Sequence, residues 1–464
     1  MQATTHSSQS PEHAVTARAP LSSAQTISMD ILYHIFKFSL SKITLVREDG
    51  TLLSIDRIEP MNFSMVCSSW RAVVLSHPSL WSRIHLLHYE SDFIPPLFLH
   101  IHSKWLDYSR NALLDVALDL SFDGTRDEVD SQHLLDTTFA QNFRIKNLEV
   151  TMYDLSKEDQ ISIPFSPSFV SVYLDVMSGQ NPQLTHLASV DLTSYFASNE
   201  LEKVQMFGRI RWILPKAPDR RLHFPKLSHL MISTNITGDL DDIHTIFSAC
   251  PNIETLSVTS LHSSSTSRAP STRDPVLLLH LTSFIIDNEN RSTTLQLLKW
   301  IASPSLRSFK VDRPLHREDP DEHGMNPALL IACKEFIARS RPPLTELSLS
   351  GSCPPLWTDS SSLPLRELLR PLSTLTSLSL QEVAVDDDFF EELTFRNGDD
   401  GQGNTISQGI CPLLSKLLIR FHDFQPFRLT PKTVKTMIES RRVPLGKSME
   451  FGLMLRTPRV EELS

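Results

Sequence analysis

One short phrase returns along most of the chain: PPLTELSLS with Leu344, Leu347 and Leu349, STLTSLSL with Leu375, Leu378 and Leu380, and CPLLSKLLI with Leu414, Leu417 and Ile419. Earlier copies keep the spacing, with apolar residues at the first, fourth and sixth positions: Leu227/Leu230/Ile232, Ile253/Leu256/Val258, Leu281/Phe284/Ile286 and Leu306/Phe309/Val311. Leu113/Val116/Leu118, Ile145/Leu148/Val150 and Leu187/Val190/Leu192 are weaker copies. Alternation at positions four and six places two side chains on one face of a strand, and the apolar residue at position one enters from the turn before it. Between copies lie amphipathic stretches long enough for a helix: DLDDIHTIFSAC, STTLQLLKWIAS, NPALLIACKEFIARS, DDDFFEELTF and TPKTVKTMIES. Strand, turn and helix repeated in one direction predict parallel strands joined by crossovers. With 464 residues the chain is too long for one ordinary core, but a repeat array escapes that limit because each unit packs only on its neighbours.

The recurrence resembles an irregular leucine-rich repeat, its copies lying as far apart as, or farther than, the ~20 to 29 residues such repeats use. An ordinary α/β domain with leucine-rich strands is the alternative. In a leucine-rich horseshoe, positions three, five and seven project from the concave strand face. These positions include His229, Met231, Thr255, Ser257, Ile285, Asp287, Lys310, Asp312, Glu346, Ser348, Lys416 and Arg420. Mostly short and polar, they are candidates for binding a protein target, although the same pattern fits a solvated sheet face covered by a loop or the chain end. Two polar inserts, 260–275 and 396–409, are poor in large apolar residues and are expected to be mobile loops.

The amino-terminal region has a different pattern. In ISMDILYHIFKFSL the residues Ile31, Leu32, Ile35, Phe36 and Leu40 predict an amphipathic helix, with Ser28 as its cap and Asp30 in the first turn. MVCSSWRAVVLSHPSLW supplies a second helix, ended by Pro78, after which Leu80 and Trp81 fold back as anchors. Short helices of this kind bury too little surface to stand alone, so part of the apolar face is expected to meet another protein.

Ile27-Ser28-Met29-Asp30-Ile31-Leu32, then Ile35-Phe36, Val66-Cys67-Ser68-Ser69-Trp70-Arg71 and Pro78-Ser79-Leu80-Trp81 resemble an F-box over residues 26 to 86. The usual Leu-Pro start is Ile27-Ser28 here, and a long spacer, SKITLVREDGTLLSIDRIEP, separates the first two helices as a small hairpin or a mobile loop. By resemblance, Ile27, Ser28, Ile31, Leu32, Ile35, Phe36, Val66, Cys67, Trp70, Leu80 and Trp81 would contact a Skp-family adaptor or support that contact. Together the resemblances imply an α+β multi-domain chain: a disordered leader at 1–25, a small all-α F-box at 26–90, and an irregular α/β leucine-rich-repeat solenoid with parallel strands at 91–464. They imply a substrate-recognition subunit of an SCF-type cullin-RING ubiquitin ligase, itself non-catalytic, with an unknown protein substrate. The alternative is a repeat scaffold with a degenerate F-box acting outside a ligase.

Composition narrows the rivals. A net charge of -10 with scattered Lys and Arg disfavours nucleic acid. Five cysteines, Cys67, Cys250, Cys333, Cys353 and Cys411, form no CxxC pair and read as reduced residues of a cytoplasmic or nuclear protein. Neither a signal-peptide pattern nor a bilayer-length apolar run occurs, so no membrane is expected. No GxSxG elbow, HExxH pair or glycine-rich phosphate loop is present, and LGKSM fails as a phosphate loop because Arg441 stands where a glycine is needed. His85, His88, His100 and His102, near Glu90 and Asp92, lack the thiolate pair or helical frame of a zinc site, and neither metal nor cofactor is expected.

Overall fold

The computed structural model describes residues 27–40, 59–87, 96–121, 127–153, 162–164, 166–177, 188–191, 200–208, 210–214, 222–234, 240–259, 273–288, 291–312, 327–351, 362–381, 383, 385–399, 405–421, 430–445 and 449–455. The expected leader at 1–25, the spacer hairpin or loop between residues 41 and 58, and most of the insert 260–275 lie outside these residues. So do His88, Glu90, Asp92 and Cys353.

A sheet of 13 strands runs through the molecule, each strand lying beside its neighbour in sequence. The strands are β1 (Arg83–Leu87), β2 (Leu114–Ser121), β3 (Ile145–Tyr153), β4 (Ser171–Val176), β5 (Lys203–Gly208), β6 (His229–Thr234) and β7 (Thr255–Thr259). They continue with β8 (Ser283–Asp287), β9 (Ser308–Asp312), β10 (Glu346–Ser350), β11 (Ser377–Gln381), β12 (Lys416–Phe421) and β13 (Glu450–Leu455). Every neighbouring pair is parallel. Because the order never reverses, there is no switch point, and successive strand-and-return units stack in one direction.

Stacking follows from the recurring phrase. Residues at positions four and six pair with their counterparts, as in Leu256 with Phe284 and Val258 with Ile286, so a continuous apolar ladder forms beneath the sheet. All seven clear copies, from Leu227/Leu230/Ile232 to Leu414/Leu417/Ile419, are buried at positions one, four and six. Three further copies with the same spacing use mixed residues: Trp81/Ile84/Leu86, Phe169/Val172/Leu174 and Leu201/Val204/Met206.

Two weaker copies differ from expectation. Leu113 is exposed; Leu114, paired with Ile145, takes the inward position instead and alternates with Val116 and Leu118, and the register shifts just after it. The stretch around Val190 belongs to a short return strand, Ala188–Asp191, in a separate three-stranded parallel sheet with Ser162–Pro164 and Ile210–Ile213. These short strands occupy the returns that leave β3, β4 and β5, where no amphipathic helix is written.

The five expected helices form as Leu240–Ala249, Arg291–Trp300, Pro327–Ser340, Asp387–Leu393 and Pro431–Leu445. Asp386 caps the fourth, accepting from Phe389 N at 2.9 Å. Leu363–Leu369 adds a further helical return. The insert 396–409, expected to be a loop, contains a hairpin of Arg396–Asp399 with Thr405–Gln408, since antiparallel backbone pairing needs no apolar side chain. The sheet also begins before residue 90: β1 lies inside the span assigned to the helical module and pairs with β2.

Buried guanidinium groups close several turns. Arg441 is fully buried and donates to the carbonyls of Leu393, Cys411 and Ile410 at 2.8, 2.9 and 2.8 Å. It lies over the Phe395 ring, and burial lowers its pKa to about 10. Arg144 likewise donates to Ser109 Oγ at 2.8 Å and Leu106 O at 3.0 Å. Arg441→Ala is expected to cost at least about 3 kcal/mol, because several buried carbonyls lose their donor together; chemical denaturation of the full chain checks it, with hydrogen exchange locating the loss at Pro431–Leu445. Gly208 ends β5 at φ 83, where an added Cβ would stand 1.8 Å from the Val176 carbonyl oxygen. Gly208→Ala should therefore lower the melting temperature, unlike Gly→Ala at an ordinary strand end.

Candidate interaction surfaces

The amino-terminal module comprises α1 (Met29–Ser39), α2 (Glu59–Val66), α3 (Ser68–Ser76) and a 3-10 turn at Pro78–Trp81. Ser28 caps α1, its hydroxyl accepting from Ile31 N at 3.4 Å. Leu32, Phe36 and Leu40, four residues apart, are buried. Phe36 stacks on Phe63 at 4.4 Å and meets Trp70 edge-on at 4.9 Å. Trp81 donates from Nε1 to Val74 O at 2.9 Å and packs on Trp105 and Tyr108 of α4 (Pro96–Ser109), joining the module to the sheet.

A single apolar face on α1 was the expectation, but two are present. Ile31, Ile35 and Phe38 form a second stripe, 56%, 44% and 88% exposed, rotated away from the buried one by the 3.6-residue period. Met65 and Val66 at the end of α2 are exposed as well. Of the expected adaptor residues, Leu32, Phe36, Leu80 and Trp81 are therefore internal supports. Ile31, Ile35 and Val66 face outward, Ser28 is an exposed cap, and Ile27, Cys67 and Trp70 are half-buried.

The opposite face of the sheet carries the other candidates in three rows. His229, Thr255 and Glu346 stand in the position-three row with Lys416; Met231, Ser257, Ile285, Lys310 and Ser348 occupy row five; Asp287, Asp312 and Arg420 occupy row seven. Charges in the later strands are neutralised locally: Lys310 pairs with Asp312 at 2.7 Å and Lys416 with Glu450 at 3.1 Å, while Ser308 donates to Glu346 at 3.0 Å.

The rows also continue into strands where no candidate was expected. β1 to β5 contribute Arg83, Asp115, Asn147 and Lys203 in row three, and His85, Glu149, Tyr173 and Gln205 in row five. They line a cavity of about 530 Å³. Row seven brings Asp119, Thr151, Asp175 and Phe207 side by side. The spacing of their apolar partners was present in the sequence, but Trp, Phe and Met replace leucine at key positions.

Asp119 is 5% exposed. Its Oδ2 accepts weakly from the Tyr153 hydroxyl at 3.5 Å, and its Oδ1 has no hydrogen-bond partner among the described residues. Burial pushes its carboxyl up to about 6; the Tyr153 hydrogen bond opposes this, and the charges of Asp175 and Glu149 add to it. Burial raises Asp175 too, against a 3.3 Å hydrogen bond from Tyr173.

His102 lies buried in α4 against Thr138 Oγ1 at 3.1 Å, and its pKa is lowered to about 4, by burial first and then by His133. Among the described residues no group of three or more His, Cys, Asp or Glu stands together as a metal site, and no helix is long and apolar enough to cross a membrane. Cys250, Cys333 and Cys411 are buried, and burial pushes their thiols up, to about 12 for Cys333 and Cys411, so they remain protonated. Compared with known proteins, the chain matches no family model and no curated sequence.

Phe36→Ala should cost about 3 to 5 kcal/mol by emptying a buried aromatic cluster, whereas Ile35→Ala should change stability by no more than about 0.5 kcal/mol. Paired denaturant titrations distinguish the two. His102 has a depressed folded pKa, so its contribution to stability is complete above the unfolded value near 6.5 and is lost as pH falls toward 4. Melting curves of the native chain and of His102→Gln across that window should show a shallower acid loss in the variant.

Proposed function

We propose that this chain is the substrate-recognition subunit of an SCF-type ubiquitin ligase, holding a Skp-family adaptor through α1 to α3 and a protein target through the concave rows of a leucine-rich-repeat-like sheet. The observation that carries the reading is the second apolar stripe of α1. Ile31, Ile35 and Phe38 are exposed while Leu32 and Phe36, one position away, are fully internal. A helix that already anchors its own module has no folding reason to keep such a stripe, and covering it in a complex contributes roughly 1.5 to 3 kcal/mol per large side chain.

Support also comes from the way the module is attached. Trp81 docks on α4 and begins the strand ladder, while Arg83 Nη1 donates to Leu40 O at 3.3 Å. A bound adaptor and a bound target would therefore be held by one connected body. The chain performs no covalent step in this reading. It raises the effective concentration of the target near a ubiquitin-loaded conjugating enzyme, whose cysteine carries the chemistry.

The test is co-purification of the full chain with a Skp-family adaptor, followed by titration calorimetry. Ile31→Ser/Ile35→Ser should weaken adaptor binding by about a hundredfold or more, from two lost apolar contacts, with an unchanged melting temperature. Undiminished binding by the double variant, or no binding by the native chain, removes the reading.

A further inference from the structure

The acidic corner between rows five and seven is built unlike the rest of the face. Asp119, Asp175 and Glu149 come together on three successive strands, and none of them forms an ion pair among the described residues. In the later strands comparable carboxylates are matched by lysine or serine. The basic positions on the flanking strands, Arg83 and Lys203, stand in row three, four residues along the strand from Asp119 and Asp175 in row seven, about 13 Å at 3.3 Å per residue, and two residues along from Glu149 in row five. Asp119 is the floor of this corner, and its Oδ1 is buried with no hydrogen-bond donor among the described residues. A carboxylate oxygen in such a place lowers stability unless something brings a donor to it.

The walls indicate what that donor is. Tyr173 and Phe207 form a tilted ring pair with centroids 5.3 Å apart, and the Tyr173 hydroxyl is tied to Asp175. Aromatic faces beside carboxylates suit a cation on an apolar stem, because the rings attract the charge and cover the methylenes while the carboxylates accept its N–H groups. Glu149 and Tyr173 also line the adjoining cavity of about 530 Å³, which is large enough to admit a long side chain.

We propose that this corner receives an arginine or lysine side chain of a bound protein segment, with Asp119 as the floor, Asp175 and Glu149 as the rim, and Tyr173 with Phe207 as the wall. Assigning that segment to a ligase target rests on the receptor reading above; capture of the cation does not. Asp119 is then a residue whose charge is kept for binding at the expense of stability.

The experiment uses the full chain without adaptor, so adaptor binding and cation binding succeed or fail separately. A fluorescein-labelled Ser-Arg repeat peptide and its citrulline counterpart are titrated by fluorescence polarisation. The native chain is compared with Asp119→Asn/Asp175→Asn and with Asp388→Asn/Glu391→Gln, which removes the same charge from the helical side. The arginine peptide should bind and the citrulline peptide should not; the first double variant should weaken binding by about tenfold or more, and the second should leave it unchanged. Asp119→Asn alone should raise the melting temperature near neutral pH. Equal loss in both double variants would mean attraction by bulk charge only. That result, absence of arginine-peptide binding, or a lower melting temperature for Asp119→Asn would each overturn the proposal.

Discussion

Everything in this molecule depends on one registered apolar ladder. Position four of each strand lies beside position four of the next, and position six beside position six, from β1 to β13, with only the irregularity before Asp115 disturbing the count. Side chains alternate across a strand, so a slip of one residue would turn the inner leucines and phenylalanines to solvent and carry the polar rows into the core. Phe284 and Phe309 illustrate the penalty: they stack 5.7 Å apart beneath β8 and β9 and are closed from below by Phe336 of the Pro327–Ser340 helix. Registering the inner rows registers the outer ones, which is how residues far apart in sequence come to share one surface.

The ladder also explains the shape of the amino-terminal module. Trp81 is both the last anchor of the helices and the first inner residue of the ladder, so the module grows out of the sheet without a separate core. Leu32, Phe36 and Trp70 hold α1 against α3, leaving Ile31, Ile35 and Phe38 uncovered. At the other end, Arg441 does with hydrogen bonds what Trp81 does by packing, reaching from the last helical return to gather carbonyls of the return before it around one guanidinium.

Polarity is distributed unevenly along the outer rows. The later strands neutralise their own charges and present hydroxyls, a surface that is stable without a ligand. The early strands gather carboxylates and rings around Asp119, whose raised pKa reflects burial first. Such local conflict in an otherwise consistent fold is where binding commonly resides.

The strand phrase, the five amphipathic returns and the helix capped by Ser28 were legible in the amino-acid order, because periodicity and capping are local properties of neighbouring residues. Three ladder copies are hidden in the sequence where Trp81, Phe169 and Met206 stand in place of leucine, although their spacing is intact, and Val190 lies in a return strand. Whether Ile35 or Phe36 faced inward was beyond a one-dimensional pattern, since both fit an amphipathic helix and only the positions of Phe63 and Trp70 choose between them. The meeting of Asp119, Glu149 and Asp175 was likewise decided by the tertiary structure, because it depends on the register of three strands separated by long returns. Local order determined which segments repeat; the stacking of those repeats determined which side chains meet.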